Sequence, residues 1–279
     1  MSIPRGSLFQ HPASGPWWRE YSRRAPIIAG VSVRFHAPAA ERAGLVIELP
    51  EEEAAHLTRV LRLKPGAAVR VFNGRGGEFD AVVQTVGKGR ADVRLTASRE
   101  PAAEARVAIT LVQAVLKGDT MDEVVRDAVM IGVAAIQPIV TTRSEVAMAS
   151  LRRGRRQERW QRIAVSSAKQ CGRAVVPPIL EPCPFEEAAA GLAGMTLPGP
   201  GLMFVEPSAT ADVLALADLD ATPPKESSVL IGPEGGWTAE EIERAASACR
   251  FVTLSGRTFR ADAMAVVALT ALFALWREL

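Results

Sequence analysis

Between Val31 and about Arg99 the apolar positions fall in short β-branched runs separated by glycine turns. Ala68 to Phe72 leads into Asn73-Gly74-Arg75-Gly76-Gly77, Glu78 to Val86 into Gly87-Lys88-Gly89, and Arg90 to Thr96 closes the series. Strands at this spacing joined by glycine hairpins predict a small antiparallel barrel. Pro50 to Leu61, ahead of them, reads as one short helix whose exposed side offers Arg59 and Arg62. From Ser98 to Ala105 charges mix with Pro101 and small residues, and the rhythm then changes, which places a domain boundary there.

Beyond the boundary strands and helices alternate. Arg106 to Val115 predicts a strand, and Asp119 to Ile131 a helix opened by a Thr120-x-x-Glu123 capping box and closed by Gly132. Val133 to Thr141 returns as a strand and Gln157 to Gln170 as a helix. Gly201 to Glu206, Ser228 to Ile231 and Phe251 to Leu254 follow as strands, and Thr238 to Ala248 and Asp262 to Leu279 as helices. This order implies an α/β domain built on a mostly parallel sheet.

Composition narrows the class. With 279 residues, 48% hydrophobic and 23% charged, the chain reads as a soluble globular protein. That length suits about two domains, which need neither disulfides nor metal to hold a core. Three cysteines in no close pair, and three histidines in no ligand spacing, leave disulfide frameworks and metal chemistry without support and fit a reducing cytoplasm. The longest apolar run, Ala263 to Trp276, spans about 14 residues against the roughly 20 a bilayer requires, so it reads as a buried helix. Residues 1–30 carry four arginines and one acid around no apolar core, and read as a flexible extension rather than a secretory signal.

Net charge is only +2, yet 28 of the 33 basic residues are arginine, the side chain that forks onto phosphate and stacks on bases. Arg152, Arg153, Arg155, Arg156, Arg159 and Arg162 cluster around Trp160, opposed only by Glu158. Such density is an electrostatic footprint for a phosphate backbone, with a solvated helix face as the bland alternative. Arg34-Phe35-His36 adds a basic and aromatic pair at the start of the barrel, although Phe35 also reads as plain core.

The sharpest local feature is Val229-Leu230-Ile231 followed by Gly232-Pro233-Glu234-Gly235-Gly236-Trp237 and then Thr238-x-x-Glu241: a buried strand, a glycine loop and a capped helix. Three glycines there let a ligand lie against bare backbone beside helix amides. No Lys-Ser/Thr follows, so this is not a phosphate-binding Walker loop. A second strand end, Val252-Thr253-Leu254, opens into Ser255-Gly256-Arg257-Thr258-Phe259-Arg260, and the two loops make the lips of one crevice. Asp262 reads first as the N-cap of the last helix and second as a catalytic carboxylate.

Together these strings resemble one family, the bacterial small-subunit rRNA uridine N3-methyltransferases of the SPOUT class. The resemblance runs from about Val31 to the C-terminus. It rests on Arg34-Phe35, His56 to Gly66, Phe72-Asn73-Gly74, Lys117-Gly118-Asp119, Gln170-Cys171-Gly172-Arg173 with Val176-Pro177, and Ile231 to Gly236. It implies a PUA-like, RNA-binding β-barrel over 31–103 and a SPOUT domain over 104–279 whose C-terminal segment makes a trefoil knot. It further implies a cytoplasmic homodimer acting on 16S rRNA, within the small ribosomal subunit, with S-adenosylmethionine as cofactor and no metal or membrane.

Carried over by position, the S-adenosylmethionine pocket would comprise Phe204, Val205 and Glu206; Leu230, Ile231, Gly232, Pro233, Glu234, Gly235 and Gly236; and Leu254, Ser255, Gly256, Thr258 and Phe259. The uracil N3 proton is weakly acidic, so a base must take it or a cation must stabilise the resulting anion. The expected cation is Arg260, supported by Arg257 and Arg173. The expected RNA grip is Arg34, Arg59, Arg62, Lys117, Arg152, Arg153, Arg155 and Arg156. The family loop L-G-x-R-x-L-R-T-E-T-A is altered here, with Ala261 and Ala263 in place of threonines and Asp262 shortening the acid. Asp127 and Lys169 each reverse the family's usual sign, which suggests that they pair with each other. A catalytically weak RNA-binding relative with the same fold is the alternative reading, and an unrelated nucleotide-binding α/β enzyme a more distant one.

Overall fold

A computed structural model describes residues 33–279 other than 154, 195, 196, 198 and 211. The expected extension over residues 1–30 lies outside the described residues.

The N-terminal sheet holds β1 (Arg34–His36), β2 (Val46–Glu48), β3 (Ala68–Phe72), β4 (Glu78–Val86) and β5 (Ala91–Arg99) in the order β1-β3-β4-β5-β2. Alternation along these strands buries one face, with Phe35, Val69, Val71, Phe79, Val83, Val93 and Leu95 all in the core. Register shifts in the β4–β5 pair at Asp80/Ala81 and Val83/Thr85 increase its twist. The sheet departs from the expected all-antiparallel barrel at one pair, because β1 runs parallel to β3. The chain between them makes a long excursion through β2 and a helix, which is the connection a parallel pair needs. That helix is also not the single one expected: α1 (Glu51–Ala55) passes into a π-helical turn over His56–Val60, and Arg62 then reverses the chain at φ 52°.

The C-terminal sheet has seven strands, all parallel, in the order β10-β12-β9-β11-β6-β7-β8. They are β6 (Ala108–Ala114), β7 (Ala135–Val140), β8 (Cys183–Pro184), β9 (Gly201–Phe204), β10 (Val213–Ala215), β11 (Glu226–Ile231) and β12 (Cys249–Thr253). Helices cover both faces, as a parallel sheet requires. On one side α2 (Thr120–Ile131), α3 (Met148–Arg153), α4 (Arg156–Cys171) and α7 (Ala261–Leu275) bury Met121, Val125, Trp160, Leu269 and Phe273 against Ile109 and Leu111. On the other, α5 (Phe185–Ala193) and α6 (Ala239–Ala245) enclose Phe185, Leu192 and Ala245 with Val112, Met203 and Phe251. After β12, at the far side of β9 from β11, the chain packs its last helix on α2 and β11.

Helix starts were only partly as expected. Thr238 and Glu241 form the full reciprocal capping box of α6. Thr120 and Glu123 do not: Asp119 is the N-cap of α2 and makes no side-chain cap bond. Arg260, not Asp262, occupies the N-cap position of α7, so Asp262 lies inside the first turn.

Residues 34–279 form one compact unit, and the two sheets are joined by a polar seam. In the Asn73–Gly77 turn, Gly76 N–H donates to Ala174 O at 3.1 Å and Gly74 O accepts from Val176 N–H at 3.0 Å. The Asn73 carboxamide closes the turn on the N–H groups of Arg75 and Gly77. Gly74, at φ 77°, has no room for a side chain, since a Cβ would come 2.8 Å from His36 Nε2.

Arg34 anchors the same seam. Only 10% of its side chain is exposed, and it pairs with Glu78 at 3.0 Å. It also donates to the carbonyls of Ala168, Lys169 and Arg173. Its place in the expected RNA grip is therefore corrected: every face of the guanidinium is committed inside the protein. The expected Asp127–Lys169 pair is absent too. Asp127 is held by its neighbour Arg126 at 2.7 Å, and Lys169 reaches Glu53 on α1 at 2.6 Å while lying over the Phe35 ring.

Candidate active site

Parallel strands deliver their C-terminal ends to one edge, and the loops after β9, β11 and β12 meet there around a cavity of about 350 Å³. This is where open α/β sheets take ligands. Of the residues expected there, Phe204, Val205, Glu206, Ile231, Gly232, Pro233, Glu234, Gly235, Gly236, Leu254, Thr258 and Phe259 line it, together with Arg257 and Arg260. Leu230, Ser255 and Gly256 do not. Leu230 belongs to the core beneath, and Ser255 stiffens its loop by accepting from the N–H of Arg257 at 3.2 Å.

Arg173 is elsewhere. Its guanidinium donates to Glu104 and to the carbonyls of Val129 and Val133 at 2.8 and 3.0 Å, and only 9% of the side chain is exposed. The expectation that it supports the reaction is corrected in this chain: its donors are spent on joining the linker before β6 to the end of α2.

Trp237, Arg143 and Met264, to which the sequence gives no role, also line the cavity, as does Asp262, whose second reading from the sequence is a catalytic carboxylate. Trp237 donates its indole N–H to Phe204 O at 2.9 Å and so ties the β11 loop to the end of β9. Arg143, from the loop after β7, donates to the carbonyls of Gly235 and Trp237 at 2.9 and 3.0 Å. A Cβ at Gly232 would stand 3.0 Å from the Trp237 ring, and one at Gly235 3.0 Å from Arg143. The floor is thus bare glycine backbone, closely approached by the Trp237 and Arg143 side chains. Trp237 follows the glycine loop directly and could have been read from it, whereas nothing local marks Arg143.

Carboxylates and guanidinium groups face each other across the mouth. Glu234 accepts from the N–H of Lys117 at 3.2 Å, and Lys117 Nζ pairs with Glu145 at 2.7 Å, which raises its pKa. Asp262 takes Arg260 side-on, Nε to Oδ1 at 3.2 Å and Nη2 to Oδ2 at 3.0 Å, and Oδ1 also accepts from Ala263 N–H. Burial works against the charge on Asp262, but the Ala263 N–H and the Arg260 guanidinium outweigh it and hold the carboxyl below its usual range. Among the described residues no three His, Cys, Asp or Glu side chains come together as a metal site. The arrangement offers a backbone-floored, partly apolar pocket for a medium-sized polar ligand, with cations at its rim.

Comparison with known proteins identifies this fold and strand-end cavity as those of an RNA methyltransferase. Residues 103–273 match the family described as RNA methyltransferase domain, and residues 49–96 the RNA methyltransferase PUA domain. The chain belongs to the ribosomal RNA small subunit methyltransferase E family. A member from Synechocystis is 30% identical, over 82% of this chain and 73% of its own length. One from Bacillus subtilis is 26% identical, over 69% of this chain and 75% of its own. Among solved structures, a ribosomal RNA small subunit methyltransferase E from Neisseria gonorrhoeae bound to S-adenosyl methionine superposes with a TM-score of 0.78 at 31% identity, covering 88% of this chain and 98% of that one. A methyltransferase from Legionella pneumophila with bound SAM gives 0.79 at 28%, with the same coverage. The SPOUT and PUA-like architecture and the family expected from the sequence are those found.

Proposed function

We propose that this protein methylates N3 of a uridine in small-subunit 16S rRNA, using S-adenosylmethionine held in the strand-end cavity. The observation that carries the reading is the meeting of three loops from adjacent parallel strands on a floor of glycine backbone, with arginines at the rim. The residues present fit the donor: glycines at 232 and 235 keep the loop backbone bare where a Cβ would press to 3.0 Å on Trp237 and Arg143, and Ile231, Leu254, Phe259 and Met264 supply apolar wall. When bound, the donor supplies an electrophilic methyl on a sulfonium.

What the chain's own residues contribute is orientation and charge. Transfer to a ring nitrogen is an in-line displacement whose main demand is an aimed nucleophile. Neutral uracil N3 carries a proton and is a poor nucleophile; once that proton is released to solvent the ring places negative charge on its two carbonyl oxygens, and the N3 lone pair would form the new N–C bond as the methyl's bond to sulfur breaks and leaves a neutral thioether. Arg260, with Arg257 beside it, is exposed at the mouth where those oxygens arrive, and its positive charge favours the anion.

The RNA grip consists of Arg59 and Arg62 beyond α1, Lys117, and the cluster around the start of α4, where Arg153 and Arg155 are exposed and Arg156 half-buried. Arg152 lies at the end of α3, but its side chain is outside the described residues. The target uridine has to be unstacked or already single-stranded to enter. The protein acts as a cytoplasmic homodimer on the assembled small subunit. No helix of the described residues is long and apolar enough to cross a membrane.

The test is mass spectrometry of rRNA from a deletion strain, joined to methyl transfer by the purified protein on small subunits from that strain. One missing methyluridine, restored in vitro, is expected. An unchanged modification profile with no transfer, despite calorimetric binding of S-adenosylmethionine, would overturn the reading in favour of a non-catalytic relative.

A further inference from the structure

Asp262 stands in the first turn of α7, two residues after the arginine assigned to the uracil anion, and the structure gives it no capping role, because the N-cap is Arg260. Its carboxylate instead engages that arginine side-on through Nε and Nη2, and is itself fixed by the N–H of Ala263 at 2.9 Å. The Asp262 side chain is 28% exposed and the Arg260 side chain 85%, so the acid is the anchored partner and the arginine the one being held. Side-on engagement spends Nε–H and one Nη2–H and leaves the end formed by Nη1 and Nη2 open. Both residues line the cavity.

We propose that Asp262 is a positioning residue for the methyl transfer: it holds the Arg260 guanidinium so that its open end meets a carbonyl oxygen of the deprotonated pyrimidine and not the ring nitrogen. The chemistry requires such a restraint. In the uracil anion the nitrogen and both oxygens share the charge, and all three accept hydrogen bonds. An untethered guanidinium on a long, exposed side chain can donate to N3 and occupy the lone pair that must receive the methyl group. A guanidinium clamped at one edge, with its remaining donors on the other, stabilises the anion while N3 stays free. Aspartate suits the task because the short side chain is pinned by the next residue's N–H.

This inference rests on the assignment of Arg260 as the stabilising cation, so the experiment separates the two. Five proteins are compared: wild type, Asp262→Asn, Asp262→Glu, Arg260→Ala and the Asp262→Asn/Arg260→Ala double variant. Each is assayed for kcat and KM on unmodified small subunits at saturating S-adenosylmethionine, and for donor affinity by calorimetry. Asparagine keeps the shape and the bond to Ala263 but loses the charge and the paired acceptor. Asp262→Asn is expected to lower kcat about 10- to 100-fold, the scale of a misplaced reacting group, with KM and donor affinity within about twofold. In the Arg260→Ala background the same change should cost nothing further, and Asp262→Glu should recover part of the loss.

An Asp262→Asn protein with full turnover, or with an equal loss in both backgrounds, or with donor binding lost in parallel with rate, would overturn the proposal. Full turnover by Arg260→Ala removes the cation assignment itself, and that single variant reports it independently of Asp262.

Discussion

The indole N–H of Trp237 and the main-chain oxygen of Phe204 are joined across 2.9 Å, with the tryptophan ring packed over Gly232. This one contact ties the loop after β11 to the end of β9, and it explains why position 232 is glycine. Its conformational freedom is not the reason, since only Gly236 among the glycines of that loop has positive φ. The reason is the approach of the ring. A methyl group at 232 has to push the indole away from Phe204, an overpacking that costs about 1–3 kcal/mol. Gly232→Ala is therefore expected to weaken S-adenosylmethionine binding about 10- to 100-fold by calorimetry. Trp237→Phe, which deletes the donor to a buried carbonyl, should lower stability by about 1–3 kcal/mol in denaturant unfolding.

Arg34 and Glu78 make the second relationship with a measurable consequence. Their side chains are 10% and 7% exposed, so truncating one leaves the other charged and buried. Arg34→Ala is expected to cost about 3–5 kcal/mol of stability by that mechanism, with additional loss at the Lys169 and Arg173 carbonyls that it leaves, Ala168 O keeping the N–H of Gly172. An apolar replacement of both, Arg34→Met with Glu78→Leu, should recover a substantial part. If Arg34 instead gripped RNA from the surface, Arg34→Ala would leave the denaturant midpoint unchanged and flatten the salt dependence of RNA binding.

His36 gives the seam a pH dependence. It is packed beside Gly74 and Phe72, and burial lowers its pKa, opposed by Glu53 and reinforced by Lys169 and Arg75. A histidine with a depressed pKa in the folded state binds its proton more readily when unfolded. Its contribution is therefore complete above about pH 6.5 and is lost as the pH falls from there through the folded value. His36→Gln should show a shallower fall in Tm than the wild type between about pH 6.5 and 5, with the two curves parallel above pH 7. Parallel curves over the whole range would mean that the imidazole titrates alike in both states.

What could be read from the sequence was what is contiguous in it. Val229 to Glu241 states its own structure: a buried run, a glycine loop and a reciprocal cap follow one another with no distant partner needed. The alternation of strands and helices after residue 105 likewise gave the parallel sheet. Arg34 could not be read so, because a basic residue beside an aromatic looks the same whether it faces phosphate or buried carbonyls. Glu78 lies 44 residues away and the carbonyl partners 134 to 139. Arg173 was misassigned for the same reason, its carboxylate partner Glu104 being 69 residues distant. Several of the strings that carried the family resemblance, among them Arg34-Phe35, Phe72-Asn73-Gly74 and Val176-Pro177, meet at the seam and not at the cavity. Asp127 and Lys169 were each predicted from an inverted charge, and each found a nearer opposite, in Arg126 and Glu53.

The arginine cluster supplies the last prediction. Arg155 takes a left-handed backbone conformation at φ 48° to open α4, and with Arg162 one helical face further on it borders a groove against Glu52 of α1. Arg153 and Arg155 are exposed, and neither makes an ion pair among the described residues, so their charges are available to an external polyanion. Arg159 differs: it is bound to Asp119 and Asp122, and Asp122 also receives the Trp160 indole N–H at 3.1 Å. Replacing Arg153, Arg155 and Arg162 by glutamine should thus reduce RNA affinity and flatten the slope of log K against log salt by about 2, at roughly 0.7 per single-strand phosphate contact. Arg159→Gln should instead lower the thermal midpoint and leave the slope unchanged. An unaltered slope in the triple variant would remove the cluster from the RNA interface, because a purely helical role for these side chains releases no counterions on binding.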